Sequence, residues 1–251
     1  MLRTALQYPI IIGIACFFVL LLAAKLGDRV GSHRLAPKEL EEFNLVLGAT
    51  LTLLGLIVGF AFSMAVGRYD QRKNYEEEEA NAIGTEYVRV DLLPTSDADK
   101  LHALLKQYLT HRIVFFQTRN KEELATVNRE SADLQNQMWS MVAAAAKTQP
   151  TPVNALVVAG MNDVLNRQGY TQAAWWNRIP VAAWAFMFVI AICCNFLQGY
   201  ASGEGKGRRP LLVLPIILAV AFLLLADLDS PRGGVIRVHP QNLMALQQSL
   251  Q

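Results

Sequence analysis

The residues best suited to a chemical task lie in an uncharged stretch, Leu45–Gly67. One set in this stretch recurs every four residues: Thr52, Leu56, Phe60 and Met64. Residues four apart share a face of a helix, and apolar side chains around a lumen pass ions only when the constriction is wetted. The pattern is typical of a pore wall. A helix that faces lipid, or that is merely packed, explains it equally well.

A second set of small residues lies one position earlier at the same spacing: Gly55, Gly59, Ser63 and Gly67. Small residues four apart allow another helix to approach the backbone closely inside a membrane. We therefore expect helix packing on this face.

Four uncharged blocks contain most of the apolar residues: Tyr8–Ala24, Leu45–Val66, Ile179–Leu197 and Leu211–Ala226. A helix needs about 20 apolar residues to cross a bilayer. The blocks predict an integral membrane protein with four helical spans. A cleaved signal peptide is the alternative for the first block, but its apolar run is long for a signal peptide, and Lys25 follows Ala23 and Ala24 where a small-residue cleavage site is expected.

The spans divide the chain into four parts. Residues 1–66 form a first transmembrane pair, 67–178 an extramembrane insert, 179–228 a second pair and 229–251 a C-terminal tail. The second span has no proline to end it, so its helix is predicted to continue to about Leu93. Further insert helices are expected from Ser96, over Glu122–Lys147, and from Pro152 with Thr151 as its cap. No segment has strand periodicity, so the prediction is all-α.

Composition and motifs do not favour a nucleic-acid-binding protein, a metalloprotein or an enzyme. With 23 basic and 21 acidic residues, nucleic acid is not an expected partner. The three cysteines lie inside predicted spans and the four histidines lack ligand spacing, so no metal site or cofactor is expected. No catalytic signature is present, and the prediction is not an enzyme.

Acidic residues near the predicted spans need partners. Asp227 and Asp229 end the fourth span, where the helix dipole repels carboxylates, so we expect ion pairs with Arg178 or Arg232. Exposure at the water boundary is the alternative. The run Glu76–Glu79 is interpreted as a solvated helix face, with a ring of divalent-cation ligands as the alternative.

The second span resembles the corresponding helix of bestrophin channels. The resemblance rests on Gly59-Phe60, on Arg68-Tyr69 and on Arg72. The longer run GFAFSMAVGRYDQRKNYEEEEANAIGTEYVR, with DLDSPRGGVIRV after the last span, is similar to a bacterial bestrophin-like family of undefined function.

This resemblance implies a homo-oligomer, a pentamer in bestrophins, with the second span lining a central pore. It also implies an apolar neck at Thr52, Leu56 and Phe60. The sequence departs from the bestrophin pattern because the first neck residue carries a hydroxyl and the second is aliphatic. In place of a tryptophan-rich continuation stand Tyr69 and Asp70.

Arg68 and Arg72 follow the neck and are expected at the pore mouth. A ring of arginines there would concentrate anions. Anchoring at the membrane interface is the alternative role.

The sequence thus predicts a homo-oligomeric, bestrophin-like channel for small anions, multi-pass in a bacterial inner membrane. Its partners would be the lipid bilayer, its own copies and small inorganic ions. The alternative is a membrane-anchored oligomeric scaffold or sensor whose insert binds a partner. Basic residues are balanced between the two sides, and the resemblance places both termini and the insert in the cytoplasm.

Overall fold

A computed structural model describes residues 8–31, 37–202 and 210–251, which are almost entirely helical. The helices in these ranges are α1 (Pro9–Val30), α2 (Pro37–Arg89), α3 (Thr95–Gln117), α4 (Lys121–Thr148), α5 (Pro152–Trp176), α6 (Val181–Ser202), α7 (Pro210–Asp229) and α8 (Gln241–Ser249). A 3-10 turn, Val90–Leu92, follows α2. The described residues contain no strand, and the all-α prediction is confirmed.

The chain forms two compact units. The first comprises the residues up to Arg68 together with Arg178–Arg237, and the second comprises Tyr69–Asn177 together with Val238–Gln251. Helix α2 contributes to both units because it is continuous from its first residue to its last. The stretch 229–251, assigned to a tail from the sequence, contains α8, which belongs to the second unit.

Four described helical stretches are long and apolar enough to cross a membrane, and they contain α1, α2, α6 and α7. The predicted four-span layout is confirmed. The second of these helices begins at Pro37 and not near Leu45, so the last part of the expected connecting loop is helical. Proline suits the first turn of a helix, and Glu39 in that turn interacts favourably with the helix dipole.

In the first unit, α1 and α6 approach each other at glycines. A Cβ atom on Gly27 would lie closer than 3.0 Å to the carbonyl oxygen of Phe196, and one on Gly199 equally close to that of Ala24. Gly31 lies in the same way against Tyr200. Only glycine permits backbones this close, so these positions set the spacing of the two helices.

Helix α2 turns one narrow face toward the core of the first unit. Leu54, Ala61 and Ala65 are buried there. At about 100° per residue these three positions lie on the same side of the helix. The glycines of α2 point elsewhere.

The second unit has its own apolar core, which includes Leu101, Leu105, Tyr108, Met138 and Met161. Several limits of its helices agree with the sequence patterns. Helix α4 matches the predicted Glu122–Lys147 to within a residue at each end.

Helix α5 begins as predicted, with Pro152 in its first turn. The Thr151 hydroxyl accepts from the Asn154 N–H at 3.1 Å. Helix α3 begins at Thr95, so the predicted start at Ser96 is wrong. The reason is that the Pro94 carbonyl already accepts from the Ala98 N–H at 3.0 Å, which places the helix boundary at the proline.

The α1–α6 contact yields a stability prediction. Gly199→Ala is expected to destabilise the protein by about 1–3 kcal/mol, because the new Cβ pushes the backbone of α1 away. Thermal unfolding of the detergent-solubilised protein measures the effect. Gly169→Ala in α5 is the control: its Cβ meets no described atom within 4 Å, and it should gain up to about 1 kcal/mol from helix propensity. Equal effects at both sites would contradict the close contact.

Candidate functional site

The predicted neck residues lie on a face of α2 that the described residues leave open. Thr52 is exposed, and the side chains of Leu56 and Phe60 are 55% and 63% exposed. The Thr52 hydroxyl donates to the Gly48 carbonyl at 2.9 Å, as helical Thr side chains commonly do. The open face is therefore apolar, because the one hydroxyl group among the neck residues, that of Thr52, already donates its hydrogen bond within the helix.

The small-residue set also lies in the open. A Cβ atom placed on Gly55, Gly59 or Gly67 would meet no described atom beyond its own helix within 4 Å. Ser63 is exposed as well. Among the described residues no other helix approaches these three glycines, and the role of the set in helix packing stays a prediction.

Arg68 pairs with a carboxylate of the same unit. Its Nη1 lies 3.6 Å from Asp229 Oδ1, and its side chain is 17% exposed. The same Asp229 oxygen accepts from the Ile179 N–H at 2.8 Å. One carboxylate thus joins α2 and the end of α7 to the residues just before α6.

Arg72, in the second unit, is 1% exposed. Its guanidinium donates to the carbonyls of Ala174 and Asn177, each at 3.2 Å. These carbonyls lie at the C-terminal end of α5, where helix carbonyls lack partners and the dipole favours a cation. Arg72 therefore caps α5. A place for Arg68 and Arg72 at a pore mouth stays a prediction.

Asp227 organises the segment after α7. Its two carboxylate oxygens accept from the N–H groups of Val235 at 2.8 Å and Ile236 at 2.7 Å. A Cβ on Gly234 would lie closer than 3.0 Å to Asp227, so the turn needs glycine there. Arg178 and Arg232 also make interactions in the structure, and their pairing with Asp227 or Asp229 stays a prediction.

The acidic run Glu76–Glu79 is not a uniformly solvated face. Glu79 is buried, pairs with Arg112 and accepts from the Thr171 hydroxyl at 2.8 Å. Glu76 is also buried. The interpretation as a solvated face is wrong for these two residues, because their spacing places them on the buried side of α2.

Glu76 holds the start of α8. Its carboxylate accepts from the Leu243 N–H at 3.0 Å and from the Asn242 side chain at 2.7 Å. Burial raises the pKa of Glu76, and these hydrogen bonds oppose the rise. No group of three or more His, Cys, Asp or Glu side chains that could hold a metal ion occurs among the described residues.

The combination of four spans, an all-helical insert and an apolar second span can be compared with known proteins. A family model described as the bestrophin-like domain matches residues 14–243. The chain belongs to the bestrophin-like family. The resemblance found in the sequence is confirmed.

Two crystal structures of a bacterial bestrophin homologue from Klebsiella pneumoniae show the same fold as this bestrophin-like chain. A point variant has a TM-score of 0.65 at 13% identity, covering 94% of this chain and 97% of that chain. A structure phased with zinc has a TM-score of 0.61 at 13% identity, covering 96% and 94%. No curated protein matches the chain.

Sequence reasoning missed several contacts of this bestrophin-like fold. The four-residue spacing of Gly27 and Gly31 is a signal for close helix packing that could have located the α1–α6 contact. The pairing of Glu79 with Arg112 has no such signal, because the two residues are far apart in the chain and only packing brings them together.

The Asp229 contact yields a second prediction. Asp229→Ala is expected to cost about 3 kcal/mol, because Arg68 loses its counter-charge and the buried Ile179 N–H loses its acceptor. Thermal unfolding in detergent measures the loss. Asp229→Asn keeps an acceptor for the Ile179 N–H, so its stability should lie between that of wild type and that of Asp229→Ala.

Asp70→Ala removes an exposed carboxylate two residues after Arg68 and serves as the control. It should change stability by no more than about 0.5 kcal/mol. A loss as large as that of Asp229→Ala would show a general charge effect and not a specific contact.

Proposed function

We propose that this bestrophin-like chain forms a homo-oligomeric ion channel in which α2 of each subunit lines a central pore. The proposal includes a pentamer, a bacterial inner membrane, and a cytoplasmic location for both termini and the insert. Membership of the bestrophin-like family supports a protein of the ion-channel type. The pore helix, the subunit number and the sidedness are specific to this proposal.

The observation that carries the proposal is the uncovered face of α2. Ala65 is fully buried within its unit, and Leu56 lies about 180° away around the helix at ~100° per residue. The neck residues therefore point away from the protein's own core. In an oligomer with its axis on that side, each subunit would contribute one side chain to a ring of Leu56 and one to a ring of Phe60.

The adjacent glycines support assembly through α2. An apolar side chain loses little by facing lipid, but a row of glycines gains van der Waals contact only when another helix approaches closely. Gly55 and Gly59 have no such helix beside them in the described ranges 8–31, 37–202 and 210–251. A second copy of α2 is the partner that this spacing favours.

Selectivity for small anions is the finer part of the proposal. Arg68 is the first charged residue after the neck and keeps some exposure. Its pairing with Asp229 reduces its field, and the exposed Glu41 and Glu42 near the start of α2 oppose an anion preference. The reversal potential in a chloride gradient measures the outcome. A preference for sodium or potassium would reject anion selectivity and leave the pore assignment standing.

The neck yields the main test. Leu56→Ala combined with Phe60→Ala is expected to raise conductance in planar bilayers, because a wider and more easily wetted constriction presents a lower barrier to ions. Phe62→Ala is the matched control. It removes the same ring from a position that is also exposed but lies about 120° from Leu56 and about 160° from Phe60 around the helix.

An increase restricted to the double variant supports the neck. Equal increases in the double variant and the control would place the pore elsewhere. If neither wild type nor double variant conducts after reconstitution, the channel proposal fails, and the scaffold or sensor with a partner-binding insert becomes the better hypothesis.

The glycine row yields a prediction about assembly. Gly55→Leu or Gly59→Leu is expected to dissociate the oligomer, because the new side chain separates closely packed helices. Native mass spectrometry in detergent reports the subunit number. Gly169→Leu adds the same bulk at an open glycine of α5 and should leave assembly unchanged. An intact oligomer in both span variants would remove the glycines from the subunit interface.

A further inference from the structure

One acidic residue of the second unit is buried without a hydrogen-bonding partner. Glu86 of α2 is 0% exposed, and neither carboxylate oxygen has a hydrogen-bond partner among the described residues. Glu79, on the same helix, differs because Arg112 and Thr171 satisfy its carboxylate. An ionised carboxylate in the position of Glu86 is expensive, whereas a protonated one is much less so.

The carboxyl group of Glu86 lies directly on the main chain of α5. A Cβ atom on Gly160 would lie closer than 3.0 Å to both Glu86 Oε2 and Arg89 Nη1. The absence of a side chain at residue 160 therefore creates the space in which this carboxyl group sits. At this contact between α2 and α5 the Arg89 guanidinium lies near the Glu86 carboxyl group, but neither carboxylate oxygen receives a hydrogen bond from a described residue.

Two charged groups act on Glu86: Arg89 on its own helix and Asp163 on α5. Burial raises the pKa of Glu86 to about 8, with Arg89 opposing the rise and Asp163 adding to it. The 3-10 turn after α2 also packs against α5. Its one charged residue, Asp91, is paired with another group: Asp91 Oδ1 lies 3.4 Å from His102 Nε2.

A cleft of about 340 Å³ adjoins this contact. Its lining includes Arg89, Gly160 and Asp163, and also Glu78 and Arg167, which form an ion pair. The cleft offers water and a guanidinium to a carboxylate that leaves its buried position.

We propose that Glu86 is a proton-operated lock between α2 and α5. When protonated, its carboxyl group stays on Gly160 and holds the two helices together. When ionised, it turns into the adjoining cleft, where water and a hydrogen bond from the neighbouring Arg89 can stabilise the charge, and the contact with α5 loosens.

The lock predicts a definite dependence of stability on pH. The pKa of Glu86 in the folded protein is about 8, above the value of about 4.3 for an unfolded chain. The folded state therefore binds more protons between these values, so the contribution of Glu86 is fully present below about pH 4.3, falls as pH rises, and is lost once pH has passed about 8.

The experiment is thermal unfolding of the full-length protein in detergent between about pH 6 and about pH 9. Wild type should lose melting temperature over a step that begins below about pH 6 and ends near about pH 8, and Glu86→Gln, which cannot ionise, should lack that step. Glu78→Gln removes a partly exposed carboxylate of the same cleft and should retain it. Infrared spectra of the folded protein should show a protonated-carboxyl band that disappears as pH rises through about 8 in wild type and is missing in Glu86→Gln.

Substitution of the neighbouring charged residues provides a second test, which remains valid if Glu86→Gln does not fold. Asp163→Asn, at an exposed position, should move the step to lower pH because a repelling charge is removed. Arg89→Gln should move it to higher pH because an attracting charge is removed. Gly160→Ala should abolish the step, since its Cβ displaces the carboxyl group.

A step that persists unchanged in Glu86→Gln, or that shifts in the same direction in the Asp163 and Arg89 variants, would overturn the proposal. The lock is tested by stability and spectroscopy and does not depend on ion conduction. An effect of the same proton on conductance would rest additionally on the proposed channel, so the two proposals fail separately.

Discussion

The structure depends on one face of α2 that is buried along much of the helix. In the first unit this face consists of small and aliphatic side chains, among them Ala61 and Ala65. In the second unit it becomes polar and carries Arg72, Glu76, Glu79 and Glu86. At about 100° per residue these polar positions fall within about 80° of one another. A single helix therefore supplies the contact surface for the core of each unit.

Each ionic residue of this face except Glu86 meets a different structural need. Arg72 binds the free carbonyls at the end of α5, Glu76 binds the free N–H groups at the start of α8, and Glu79 neutralises Arg112 on α3. Helix ends leave unsatisfied backbone groups, and buried charges are tolerated only when they are paired or hydrogen-bonded. Arg72, Glu76 and Glu79 satisfy both requirements. Removing one partner of such a pair leaves the other buried without compensation, which destabilises the fold.

The burial of one face leaves the opposite face of α2 uncovered by the part of the chain that the structure describes. Leu56, Phe60 and the nearby glycines lie there. The same helix thus presents a polar or small-residue side to its own chain and an apolar side to something else, which is the arrangement that the proposed pore requires. Close packing inside the first unit is achieved by a different set of glycines, Gly27 and Gly199, between α1 and α6.

The sequence alone determined the four spans, the all-helical insert, the start of α5 and the family, because apolar length, helix period and capping residues act locally along the chain. It also singled out Asp229 as a carboxylate that needs a partner. Only the tertiary structure decided that this carboxylate lies beside Arg68, that Glu76 and Glu79 are buried, and that Gly160 makes room for Glu86. The periodicity of a helix shows which residues share a face, but which face is buried depends on helices distant in sequence that pack against it.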